Sequence, residues 1–160
     1  MKVLQNQFTA YVFDNQSELT PEEQELLQTA ATFTKNAYAP YSQFMVGAAL
    51  RLDNGQIIGG ANQENASFPL CICAEQAALS HFGSNYPDQK ITQIAITATS
   101  KKSALDHPVS PCGSCRQVLC EYESRQNQAI EIILQGNGGP IFKINSAHDL
   151  LPLSFDGSIL

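Results

Sequence analysis

The chain has no basic surplus. Nine Lys and Arg stand against fifteen Asp and Glu, a formal net charge of −6. An electrostatic grip on long nucleic acid needs a basic stripe, so polynucleotide binding is set aside and a small neutral substrate fits better. No stretch approaches the roughly 20 apolar residues needed to cross a bilayer. Residues 1–10 carry one Lys followed by Gln5, Asn6 and Gln7, where a signal peptide would place its apolar core. Cysteine is scarce and odd in number, at five, which argues against a disulfide framework and for metal ligands in a reducing compartment. A cytoplasmic protein that uses neither membrane nor nucleic acid is therefore expected. Repeats, low-complexity tracts and long linkers are also missing. What is present, 160 residues at 43% hydrophobic, suffices for one core. The expected organisation is an N-terminal arm over residues 1–19 and one domain over 20–160.

Local signals order the rest. Phe8, Tyr11 and Phe13 nearly alternate, which suits either a short edge strand or an unattached arm. Thr20-Pro21-Glu22-Glu23 joins a hydroxyl N-cap, Pro at the first helical position and Glu three residues after the cap, so a helix starts there. Ala39-Pro40 ends it, and an apolar run over 44–50 reads as a strand. Asp53-Asn54-Gly55 makes a hairpin turn leading to a strand over about 56–63. Ala74, Ala77, Ala78, His81 and Phe82 recur at helical spacing, with Cys73 at or just before the helix start. A strand over 91–100 follows. A helix opening at Pro111 comes next, with Cys112 in its first turn, then strands over 130–135 and 141–145 and a short helix from Ser146. This order predicts an α/β fold: three layers, α/β/α, around a mixed five-stranded sheet in which the strands over 91–100 and 130–135 run parallel.

Chemistry concentrates in Cys73-Ala74-Glu75 and Pro111-Cys112-Gly113-Ser114-Cys115. Both clusters fall at expected helix N-termini, where free N–H groups and the macrodipole favour thiolate over thiol. Three soft thiolates suit Zn²⁺, and three protein ligands leave one tetrahedral position for water. A carboxylate two residues after the first Cys is placed to accept that water's proton and return it. Two other readings stand beside this one. Cys71, Cys73, Cys112 and Cys115 make up a closed four-thiolate structural site, which leaves Glu75 without a task; or Cys112 and Cys115 form a redox pair. Cys120, inside a helix, reads as a buried small hydrophobe.

Together these motifs resemble cytidine deaminases of the short, homotetrameric kind. The resemblance extends to residues 39–50 and to Asn62-Gln63-Glu64-Asn65-Ala66-Ser67, and covers about residues 20–155. It implies one Zn²⁺ per subunit on Cys73, Cys112 and Cys115, with Glu75 as the proton shuttle. It further implies that Phe44 lies against a pyrimidine ring, that Asn62 and Glu64 meet the sugar hydroxyls, and that backbone near Ala66 and Ala74 reads the base edge. Phe155 resembles the aromatic that a neighbouring subunit contributes, so a homotetramer with shared sites is implied, acting on cytidine and deoxycytidine in pyrimidine salvage. A different substrate for the same site, or a zinc-stabilised binding protein without chemistry, are the competing functions. Three positions depart from the family pattern. Gln76 stands where Arg is common and would offset the charge of three thiolates; Arg116 is expected to take over that role. Cys71 sits where a thiol competes for zinc, and Phe68 replaces a frequent Tyr.

Overall fold

The computed structural model describes residues 1–157. Residues 158–160, the end of the expected domain, lie outside the described residues. In chain order the elements are β1 (Tyr11–Phe13), α1 (Pro21–Phe33), β2 (Phe44–Leu52), β3 (Ile57–Ala61), α2 (Ala74–Asn85), β4 (Ile91–Ser100), α3 (Gly113–Gln126), β5 (Glu131–Gly136) and β6 (Gly138–Ile144). The sheet order is β1-β6-β5-β4-β2-β3, and β4 with β5 is its parallel pair. The sheet therefore has six strands, not the expected five. The extra one is β1, whose residues 11–13 pair antiparallel with Lys143, Phe142 and Ile141 of β6. Without it, β6 would present an unpaired row of backbone donors and acceptors at the sheet edge. Of the two readings open for the alternating aromatics, the edge strand is the one realised.

Strand periodicity sorts the core into two layers. Ala48, Leu50, Leu52, Ile94, Ile96, Ile132 and Leu134 face α2 and α3, meeting Ala74, Ala78, Leu79, Phe82 and Leu119. Their neighbours Ala49, Ala95 and Ile133 face α1, meeting Leu26, Leu27 and Ala30. Alternate residues thus serve opposite faces, as a sheet covered on both sides requires. The hairpin between β2 and β3 turns at Asn54 and Gly55, with Gly55 at φ 85° and the Asn54 side chain accepting from Gln56 N–H at 2.9 Å. Helix α3 begins later than expected: Cys112 is its N-cap in extended conformation, with Pro111 ahead of the helix.

Thr20 and Glu23 form the expected capping box at α1, with Thr20 N–H donating to Glu23 at 2.9 Å. The other Glu23 oxygen pairs with Lys143, which also reaches Glu131 at 3.1 Å. Burial raises the Glu23 pKa, but hydrogen bonds from Lys143 and Thr20 outweigh it and hold the carboxyl below its ordinary value. A depressed carboxylate contributes stability that is present above its unfolded pKa and lost as pH falls through its folded one. Glu23→Gln should therefore cost about 1.5–3 kcal/mol at pH 7. The gap from wild type should close as pH drops below the ordinary carboxylate value of 4.5. Urea melts across pH 7 to 3 check this.

Gly60 in β3 decides how closely α2 approaches the sheet. A Cβ there would lie 2.5 Å from Ala78 N and 2.8 Å from Ala74 O, both helix backbone. Neither atom can yield without moving the first turn of α2. Gly60→Val should cost about 3 kcal/mol, the upper end for overpacking, and lower Tm by roughly 6–12 °C. Thermal melts test it.

Candidate active site

Two helix starts on the same face of the sheet bring the three expected thiols together. Cys73 is the N-cap of α2 and Cys112 that of α3, both extended, and neither side chain caps its own helix. Cys115, one turn into α3, is fully buried. Cys112 Sγ lies 3.5 Å from Cys115 Sγ and 3.9 Å from Cys73 Sγ, and all three ligand atoms fall within 4.8 Å of one another. A tetrahedral zinc with bonds of about 2.3 Å sets sulfurs roughly 3.8 Å apart, so the donor set fits Zn²⁺ in both chemistry and spacing. A hydrogen bond from Cys115 favours the Cys73 thiolate and brings its pKa down to about 7, against desolvation and the Glu75 charge. The Cys115 thiol, donor in that bond and buried, is pushed far up.

Glu75 follows in the first turn of α2 and is 5% exposed. Desolvation raises its pKa, opposed by hydrogen bonds from its own N–H and the Cys115 thiol. A carboxyl so placed is a better base than an exposed one and touches the thiol cluster directly. Beside it opens a cavity of about 270 Å³. Phe44, Val46, Ile72 and Ile96 supply apolar wall, and Asn62, Glu64, Ser110 and the thiol-bearing helix starts supply polar groups. A small ring-bearing molecule matches this mixture of apolar surface and few polar groups. A second cleft of about 320 Å³ at the far ends of α2 and α3, between Tyr86 and Arg125, holds no thiol and lies away from this chemistry.

Other expected residues distribute unevenly. Phe44 and Ala74 border the cavity. So does Asn62, but its carboxamide is engaged at both ends, accepting from Val46 N–H at 2.8 Å and donating to Phe44 O at 2.9 Å. Glu64 accepts from Tyr41 N–H at 2.8 Å and from Ser42 N–H at 3.3 Å. Hydrogen bonding to Ser42 first, then to Tyr41, with Lys102 nearby, holds its carboxyl below the ordinary value. Both residues thus also brace the turn that presents Phe44. Ala66, in an exposed bend, is not part of the cavity wall. Phe155 is 58% exposed outside it, its carbonyl accepting from Gln117 at 2.8 Å.

Gln76 and Arg116 touch no sulfur. Gln76 donates to Ser114 Oγ at 2.9 Å, tying the first turns of α2 and α3. Arg116 donates to Pro111 O at 2.8 Å and Leu150 O at 3.0 Å. The guanidinium thereby clamps two stretches of backbone, one of them next to Cys112. Cys71 borders the cavity but stays out of the thiol group, its sulfur accepting from Asn65 N–H at 3.2 Å. The closed four-thiolate reading therefore fails among the described residues. Val109 and Ser110 were not anticipated as cavity wall. They sit in a loop without periodicity, which carried no signal.

An α/β/α sheet thus sets three thiols that suit Zn²⁺ at two helix starts, against a buried carboxyl and a cavity, the layout of a zinc-binding site. The family model described as the cytidine and deoxycytidylate deaminase zinc-binding region matches residues 20–130. The chain belongs to this cytidine deaminase family. It is 39% identical over 134 residues to a cytidine deaminase of Halalkalibacterium halodurans, covering 84% of this chain and 94% of that one. With a cytidine deaminase of Sporosarcina psychrophila it shares 34% over 132 residues, 82% of this chain and 90% of the other. A crystal structure of cytidine deaminase from Burkholderia pseudomallei superimposes with a TM-score of 0.69 at 36% identity, covering 86% of this chain and all of that one.

Proposed function

We propose that this chain hydrolyses cytidine and deoxycytidine to uridine and deoxyuridine, releasing ammonia, in the salvage of pyrimidine nucleosides. The observation that carries the reading is buried Glu75 between the three-thiol cluster and a cavity of about 270 Å³. Cys73, Cys112 and Cys115 hold the ion. Zn²⁺ bound there supplies Lewis acidity, which makes a water nucleophilic near neutral pH. Glu75 would take one proton of the attacking water as its oxygen bonds to C4 and pass it to N3, then take the second proton from that same oxygen and deliver it to the departing amine. Carbon–oxygen bond formation and carbon–nitrogen cleavage then balance as one water consumed and one ammonia released.

Phe44 lies against the base, and Ala74 backbone at the cavity wall reads its edge. Asn62 and Glu64 meet the sugar hydroxyls with the lone pairs and N–H that their backbone partners leave free. Gln76 and Arg116 hold the ligand-bearing helix starts. Ala66 and Phe155 stand on exposed surface, and so do Tyr41, Phe68 and Leu70 near the cavity mouth. These apolar groups support a homo-oligomer, a tetramer in this reading, in which neighbours complete each site. No helix among the described residues is long and apolar enough to cross a membrane. The five cysteines are all free, which supports action in the reducing cytoplasm. The decisive experiment follows ultraviolet absorbance when zinc-loaded protein meets cytidine. Rapid loss with uridine as product supports the proposal, and no loss with zinc bound sinks it.

A further inference from the structure

The family-model match ends at residue 130, yet the chain beyond β6 is fastened to α3 along one helix face. At the far end, buried Glu123 accepts from Ala147 N–H at 2.8 Å and from the Ser146 hydroxyl at 2.8 Å. It also accepts from Ile130 N–H at 2.7 Å, which ties the start of β5 to the same carboxylate. Within the segment itself, Ser154 Oγ pairs with His148 Nδ1 at 3.2 Å. At the near end, Gln117 holds the Phe155 carbonyl and Arg116 holds Leu150 O at 3.0 Å. Residues 116 and 123, two turns apart, share one face of α3, so that face together with neighbouring Gln117 holds the segment at Ser146, Ala147, Leu150 and Phe155.

Arg116 is where this face meets the thiol cluster. Its Nε donates to Pro111 O at 2.8 Å while Nη1 takes Leu150 O. Pro111 is buried and immediately precedes Cys112. The rigid guanidinium fork therefore spans two carbonyls, one next to a metal ligand and one in the C-terminal segment. The Cys112 carbonyl opens the intrahelical ladder, accepting from Arg116 N–H at 3.0 Å, but the peptide that precedes Cys112 has no intrahelical partner. Here the peptide before Cys112 is set by Arg116, and Arg116 is set in turn by Leu150.

We infer that Arg116 is a positioning residue, through which docking of the C-terminal segment holds Cys112 in register with Cys73 and Cys115. This rests on the zinc reading above. It assigns the tail a part in metal retention, and Arg116 a mechanical role in holding Cys112.

The test uses full-length zinc-loaded protein and reads transfer of zinc to a competing chelator, alongside Tm of the metal-free form. Arg116→Gln should release zinc about 10–100-fold faster than wild type, the range for loss of an outer partner of a metal ligand. Glu123→Gln touches neither Pro111 nor a thiol. It should still speed release on the order of 3–10-fold, less than loss of a direct outer partner. Leu26→Ala, on the opposite face of the sheet, serves as a control that lowers Tm without touching that face of α3. Release from Arg116→Gln within twofold of wild type overturns the positioning role, as does acceleration matched by the control at equal Tm loss. Release from Glu123→Gln within twofold overturns the coupling to the tail. A wild-type protein that binds no zinc would instead remove the metal reading itself, a distinguishable failure.

Discussion

Glu75→Gln protein should keep its zinc and its fold and lose about four orders of magnitude in turnover of cytidine, the upper end for a general acid–base residue. The carboxyl is 5% exposed and its pKa is raised by desolvation, so it costs the folded state something to hold a charge there. A neutral amide of the same shape removes that cost, and the thermal midpoint should hold or rise slightly. The amide has no proton to cycle, so neither N3 nor the leaving amine can be protonated from that side. The three thiols are untouched, and one zinc per chain should remain. Three measurements on one sample, zinc stoichiometry, Tm and kcat, separate this outcome from simple unfolding. Turnover near wild type would remove Glu75 from the chemistry.

Cys115→Ala should abolish activity by a different route, through loss of the ion. Cys115 is the buried member of the cluster, 3.5 Å from Cys112 Sγ and the donor in the bond that favours the Cys73 thiolate. Structural zinc sites bind with about 10–16 kcal/mol over four ligands, so one thiolate carries roughly 3–4 kcal/mol. That corresponds to about 10²–10³ in affinity. With two thiols left, Cys73 and Cys112, zinc should be lost on dialysis at neutral pH and added zinc should restore little turnover. The hydrogen-bond donor that favours thiolate on Cys73 disappears as well, so Cys73 in the metal-free variant should react with iodoacetamide more slowly at pH 7 than in the metal-free parent. Full zinc occupancy after dialysis would mean that another residue completes the centre, with Cys71 the first to examine.

These outcomes also separate the thiol cluster from the carboxyl by task. Glu75→Gln is expected to leave the metal in place, whereas Cys115→Ala is expected to remove it and leave the carboxyl untouched. The pair of variants therefore distinguishes a catalytic centre from a zinc site that only stabilises the chain.

Much of this was legible in the residues because the signals are local. Thr20, Pro21 and Glu23 write a capping box within four positions, and the box forms. Asn54-Gly55 writes a hairpin turn, and the chain turns there. Cys73 and Cys112 stand where apolar periodicity begins, and both become N-caps. Such signals depend on neighbours one to four residues away, whose geometry the backbone dictates almost regardless of the rest of the fold. β1 lay at the limit of this logic. Three residues are too few to show a period, and only pairing with β6, more than a hundred residues later, makes them a strand.

The identity of the thiols and the carboxylate, their placement at helix starts, and the alternation that covers both faces of the sheet were thus determined by sequence alone. Which atoms meet was decided by tertiary structure. Gln76 reaches Ser114 across 38 positions and Arg116 reaches Leu150 across 34. Cys71, two residues from a ligand, turns to Asn65 and stays out of the cluster. Glu64 is engaged with the turn before β2 and Asn62 with the first residues of β2, where the resemblance implied groups turned toward a sugar. The reason is the reach of a side-chain hydrogen bond, about 3 Å. Nothing in a residue's type says which distant carbonyl or hydroxyl folding will bring within that distance.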